Sequence, residues 1–150
     1  RTEPQLGPIA KLKLAPDPTS LSLLRRVLHR WLAEIGAERD EAGEIVMAAN
    51  EAWQNALEHG TGFARTTVDV ELECRDGDVL VCVRDAGRRE RDPSDPDRGR
   101  GIDLMRALAD DVELDLGPHG SAVRLRRRLR SARNGASPAG AAVRVRRARV

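Results

Sequence analysis

The chain has 150 residues, 40% of them hydrophobic and 33% charged, which suits one globular, soluble domain with a real core. No apolar run approaches the length of a membrane span, and no secretory signal pattern opens the chain. The net charge of +2 hides an asymmetry, because residues 116–150 carry ten Arg and no acid; with aromatic residues at 2% and no Tyr, this basic end lacks a stacking platform for single strands or RNA, and an arginine-rich last strand with a solvated tail accounts for it better.

The chain does not open on Met, and Arg1 to Pro8 is a polar, proline-rich flank, so the sequence reads as a piece of a longer polypeptide or a chain lacking its start. Ile9 to Ala15 alternates well enough for a short first strand, with Ile9, Leu12 and Leu14 as its apolar positions. Asp17-Pro18-Thr19-Ser20 supplies capping side chains and a proline in the entry turn of a helix. Leu24, Val27 or Leu28, Trp31 and Ile35 mark its buried face, and Gly36 closes it.

Asp40 begins a second helix that runs to about His59, with Gly60 and Gly62 as the stop. Ile45, Ala49, Ala52 and Ala56 form a buried stripe on it. Glu51 and Asn55, four residues apart, lie one above the other on a single face, and His59 is one turn further. A carboxylate, a carboxamide and an imidazole stacked on a helix with a core face suit a metal and phosphate site; an isolated E-x-x-x-N pair is more often a solvated stripe.

Thr66 to Arg75 has clean period 2, with Val68, Val70, Leu72 and Cys74 against Asp69, Glu71 and Glu73. Asp76-Gly77 is a hairpin turn. Val79 to Asp85 is apolar on both faces, as a central strand is. In this register Cys74 and Cys82 point to opposite faces, so they do not bridge, and both read as reduced thiols of a cytosolic protein.

Ala86 to Arg98 contains Gly87, two prolines, three aspartates and four arginines without periodicity. It reads as a long mobile loop of the kind that is usually functional. Gly99 and Gly101 open a helix over Ile102 to Ala109, where free backbone N–H groups suit phosphate. Asp111 to Leu116 and Ala122 to Arg130 form a second hairpin across Gly117-Pro118-His119-Gly120. Ser131 to Gly140 has linker composition. Val143 to Arg146 alternates once more, as the first strand of a following domain, an added edge strand, or part of a disordered tail. Boundaries follow at 1–8 for the flank, 9–130 for the domain and 131–150 for a linker or basic tail. The element order suggests an α+β fold, a two-layer α/β sandwich with a mostly antiparallel sheet and helices on one face.

Four signals in order carry a resemblance: Glu51-Ala52-Trp53-Gln54-Asn55, Asp85-Ala86-Gly87, Arg98-Gly99-Arg100-Gly101-Ile102, and the turn leading into Ser121-Ala122-Val123. Together they resemble the N, G1 and G2 boxes and the closing Gly-Thr strand of the GHKL, or Bergerat-fold, ATPases. Residues 8–130 are most similar to the anti-sigma-factor serine kinases of bacteria. The resemblance implies ATP and Mg²⁺ as cofactors, Glu51 as the catalytic base and Asn55 as the Mg²⁺ ligand. It further implies Asp85 as acceptor for the adenine amino group, Gly87 where the base approaches, and Ser121 as the hydroxyl near adenine. Arg98, Gly99, Gly101 and Ile102 would form the phosphate end. His59 fits a phosphate contact and a helix-end histidine favoured by the dipole equally well.

The same resemblance implies a serine on a STAS-type anti-sigma-factor antagonist as substrate, a sigma factor as second partner and a homodimer; the composition speaks against a membrane, and DNA binding by the basic end is a third, weak reading. Two positions depart from the pattern. Arg89 stands where many members have the second glycine of D-x-G-x-G, and Ser121 stands for Thr. Arg88 and Arg89 at the entry of the loop keep open a non-catalytic module that binds a sigma factor or its antagonist. A histidine-kinase-type ATP-binding domain is the lesser alternative, since no phosphoacceptor His box precedes the ATP-binding region within this sequence.

Overall fold

A computed structural model describes residues 7–59, 67–85, 98–117, 120–132 and 142–147. Among these residues six strands form one sheet: β1 Ile9–Leu14, β2 Val68–Arg75, β3 Asp78–Asp85, β4 Asp111–Gly117, β5 Gly120–Arg128 and β6 Ala142–Arg147. Their spatial order is β1-β2-β3-β5-β4-β6. Neighbours run antiparallel except β4 and β6, which are parallel. β3 is therefore central, as its apolar composition predicts, and Ala142–Arg147 stands at the sheet edge beside β4.

Among the described residues three α-helices accompany the sheet: α1 Pro18–Glu34, α2 Arg39–His59 and α3 Arg98–Leu108. Asp17 caps α1 by accepting from Ser20 N at 2.7 Å, with Pro18 in the first turn. Gly36, at φ +87°, takes the left-handed conformation that ends the helix cheaply only without a Cβ. Leu24, Leu28 and Trp31 are buried as the periodicity predicts, and Leu32 joins them. α3 begins one turn before the predicted Ile102, so Gly99 and Gly101 lie inside its first turn.

Asp76 and Gly77 both have positive φ, 51° and 81°, as a two-residue type I′ hairpin requires. That turn fixes the β2–β3 register, Val70 opposite Val83 and Leu72 opposite Val81. Val68, Val70, Leu72, Val79, Val81, Val83, Val123 and Leu125 are buried in one core with α2's Ile45, Ala49, Ala52 and Ala56. The fold is the expected α+β sandwich.

On β1 the inward positions are Ala10, Leu12 and Leu14, whereas Ile9 is 55% exposed; strict period 2 puts it with Lys11 and Lys13 and corrects its place in the predicted apolar set. Cys74 packs against the core, Cys82 lies at an alternate position on the other face, and both are free thiols. Burial, then the Asp78 carboxylate, raises the Cys74 pKa; burial raises that of Cys82 against the opposing charges of Arg84 and Arg124.

Candidate functional site

α2 is tied at its start to the far end of β5. Arg127 Nη1 donates to Glu44 Oε2 at 2.6 Å, and Arg130 N donates to Glu41 Oε2 at 2.8 Å. From there α2 packs along β3 and β5. Glu44 to Asn55 is about 16 Å of helix, and Arg127 back to Ser121 is about 20 Å of strand. The Glu51–Asn55 half of α2 is thus led toward the sheet end that carries Asp85 and Ser121.

At that end Asp85 and Ser121 are directly paired across β3 and β5. They are 7% and 8% exposed, polar groups at one end of a core face whose other end carries buried Arg127. A carboxylate and a hydroxyl desolvated side by side cost free energy unless partnered, and Asp85 is not without a partner. Glu51 and Asn55 are both half-buried. α3 reaches Glu51: a Cβ built on Gly101 would come within 3.2 Å of Glu51 Oε2. Glycine at 101 therefore lets the first turn of α3, whose N–H groups have no intrahelical partner, approach the Glu51 carboxylate. Ile102 packs against the core just behind it.

β3 ends at Asp85 and α3 begins at Arg98. Gly87, Arg89 and the predicted mobile loop lie outside the described residues, as do the side chains of His59 and Arg98; the backbones of Arg98 and Gly99 are in α3 and that of His59 ends α2. Among the described residues, no group of three or more His, Cys, Asp or Glu could hold a metal by itself, and no helix is long and apolar enough to cross a membrane.

Three features were not read from the sequence. Trp53, on α2 between Glu51 and Asn55, is fully buried, and its Nε1 has no hydrogen-bond partner among the described residues. Arg25 of α1 grips Asn50 Oδ1 with Nη2 at 2.7 Å and Nε at 3.3 Å, fixing α1 to α2 immediately before Glu51. Buried Glu41 and Arg127 hold the other end of the helix pair. Apolar periodicity does not register buried charges.

Residues 14–127 match the histidine kinase-like ATPase domain. The chain belongs to this ATP-using family. Among solved structures it is similar to the RsbU and RsbW domains of Rv1364c from Mycobacterium tuberculosis, with 27% identity and a TM-score of 0.69 over 81% of this chain and 32% of that one. It therefore spans about a third of that protein's length. The SiaB–SiaC complex from Pseudomonas aeruginosa shares the fold, with 14% identity and a TM-score of 0.59 over 79% of this chain and 89% of that one. The GHKL resemblance read from the four boxes agrees with all three matches.

Proposed function

We propose that the chain is an ATP-dependent serine-protein kinase and anti-sigma factor, acting on a STAS-type anti-sigma-factor antagonist. The observation that carries the reading is the approach of Gly101 to the Glu51 carboxylate at the sheet end closed by Asp85 and Ser121. A base, a helix N-terminus and a buried carboxylate are then gathered at one end of the fold.

In this reading the adenine amino group donates to Asp85, with the Ser121 hydroxyl beside it. The first turn of α3 receives the phosphates, whose charge the helix N-terminus favours. Glu51 accepts the proton of the substrate serine as its oxygen bonds to the γ-phosphorus and the bond to ADP breaks. Mg²⁺ suits the residues present: a hard ion that keeps most of its waters needs few protein ligands, and Asn55 offers a half-buried neutral oxygen one turn from Glu51. Bound there, it would neutralise charge on the phosphates. A sigma factor as second partner, a homodimer and a cytoplasmic location complete the proposal, supported by the sequence resemblance and by the likeness to a chain that includes an RsbW domain.

The test is transfer of radiolabel from γ-labelled ATP to a STAS-domain protein. The expected result is label on a serine of that protein, absent when the serine is replaced by alanine. A second reading, a non-catalytic module that binds a sigma factor or its antagonist, is favoured by Arg89 at the G1-box glycine position. ATP binding without any transfer would select it.

A further inference from the structure

α2 and α3 lie side by side in opposite directions, and they meet the rest of the molecule at matched positions. At one end Arg127 Nη1 bonds both Glu44 of α2, at 2.6 Å, and the carbonyl of Leu108, the last residue of α3, at 2.8 Å. At the other end Glu51 of α2 stands against Gly101 of α3. Glu44 to Glu51 and Gly101 to Leu108 are both seven residues, about 10 Å of helix each. The pair is thus a two-turn frame with Arg127 at one end and the proposed base at the other.

We infer that Arg127 is a positioning residue for the nucleotide end: by holding the last carbonyl of α3 to α2 and β5, it fixes where the first turn of α3 stands against Glu51. The inference rests on the nucleotide reading above. Arg127 is only 9% exposed, and a cation at a helix C-terminus satisfies a carbonyl that has no intrahelical partner. The backbone around it reinforces the hold. Asp110 N donates to Arg126 O at 2.8 Å, and Arg128 N donates to Asp110 Oδ2 at 2.6 Å. A cavity of about 10 Å³, lined by Ile45, Ala48, Val79, Leu108, Leu125 and Arg127 among others, lies beside the contact, and Arg127 Nε has no partner among the described residues. Hydrogen bonds from Arg127 and Asp110 tie the end of α3 to β5.

The experiment compares wild type with Arg127→Met, Arg127→Lys and Glu44→Gln. Two readouts are taken well below each unfolding midpoint: hydrogen exchange of α3 and α1 amides without nucleotide, and Mg·ATP affinity by calorimetry. In Arg127→Met, α3 should lose protection while α1 keeps it, and affinity should fall by roughly threefold to tenfold, within the range of such indirect couplings. Arg127→Lys, which keeps the charge without the fork, should recover part of both. Glu44→Gln, at a side chain 38% exposed, should fold normally and show a smaller loss of the same kind; if Arg127→Met does not fold, Glu44→Gln decides. Wild-type affinity in a variant with a lowered unfolding midpoint would make Arg127 merely structural and overturn the inference. Wild-type protein that binds no ATP would instead overturn the nucleotide reading, and the positioning role with it.

Discussion

The two ends of the α2–α3 pair are built on opposite rules. At the Arg127 end buried charge is met by charge or by backbone: Arg127 has Glu44 and the Leu108 carbonyl, and Glu41 has the Arg130 amide. At the Glu51 end side chains are removed or left half-open: glycine replaces a side chain at 101, Glu51 and Asn55 are half-buried, and Asp85 and Ser121 end an apolar face. The two tryptophans differ as well, although Arg127 Nε at the other end also has no partner among the described residues. Trp31 Nε1 donates to Gly7 O at 2.8 Å, whereas Trp53 Nε1, beside Glu51, is buried without a partner among the described residues. Buried polar groups are normally satisfied within the protein. An end with a glycine and half-buried polar side chains is suited to a ligand, and an end tied by an ion pair and backbone hydrogen bonds is suited to holding that ligand's site in shape.

Substitutions at the two ends should therefore fail in different ways. The largest effect belongs to Glu51→Gln, which keeps shape and removes the proposed base. Phosphoryl transfer should fall by on the order of 10²–10⁴ while ATP still binds; equal transfer rates would return Glu51 to a structural role. Asn55→Ala comes next. It should remove the gain in ATP affinity that Mg²⁺ confers and leave the unfolding midpoint near that of wild type, because a half-buried amide is lost and not core volume. Calorimetry with and without Mg²⁺ reads this directly.

At the closed end Glu41→Ala should do the reverse. It leaves the Arg130 amide without its acceptor, at a cost of about 1–3 kcal/mol, read by denaturant unfolding, with ATP affinity unchanged. The smallest effect is Asp40→Asn. Asp40 pairs with Arg130 at 2.8 Å, and its hydrogen bond to that guanidinium holds its pKa below the ordinary 3.8. A lowered folded-state pKa stabilises above the unfolded value and loses that contribution as pH falls through the folded one. The variant should thus differ slightly from wild type near neutral pH and converge with it in acid. At an exposed pair the difference is small and fades with salt.

The open end was more legible in the sequence than the closed one. Glu51 and Asn55 are visible because helical spacing stacks them, and Asp85 because an acid ends an apolar strand. Asp76-Gly77 names its own turn, and the turn then sets the strand register. Ile9 misled because an apolar residue at a strand edge looks inward until strict alternation is applied. α3 looked shorter than it is because Gly99 and Gly101 weaken helix propensity over a turn that the structure nevertheless makes helical. Arg127 and Glu41 were hidden because their value lies in contacts far apart in sequence, Glu44 to Arg127 and Glu41 to Arg130, which no local pattern encodes.

Hydrogen exchange of the whole chain with and without Mg·ATP tests the division between the ends most directly. The account predicts added protection in residues 86–102, with Gly101 and Ile102 among them, and around Asp85 and Ser121. The amides of residues 39–46 and 108–112 should not change. Protection unaltered at the Glu51 end, or gained mainly around Arg127, would contradict it.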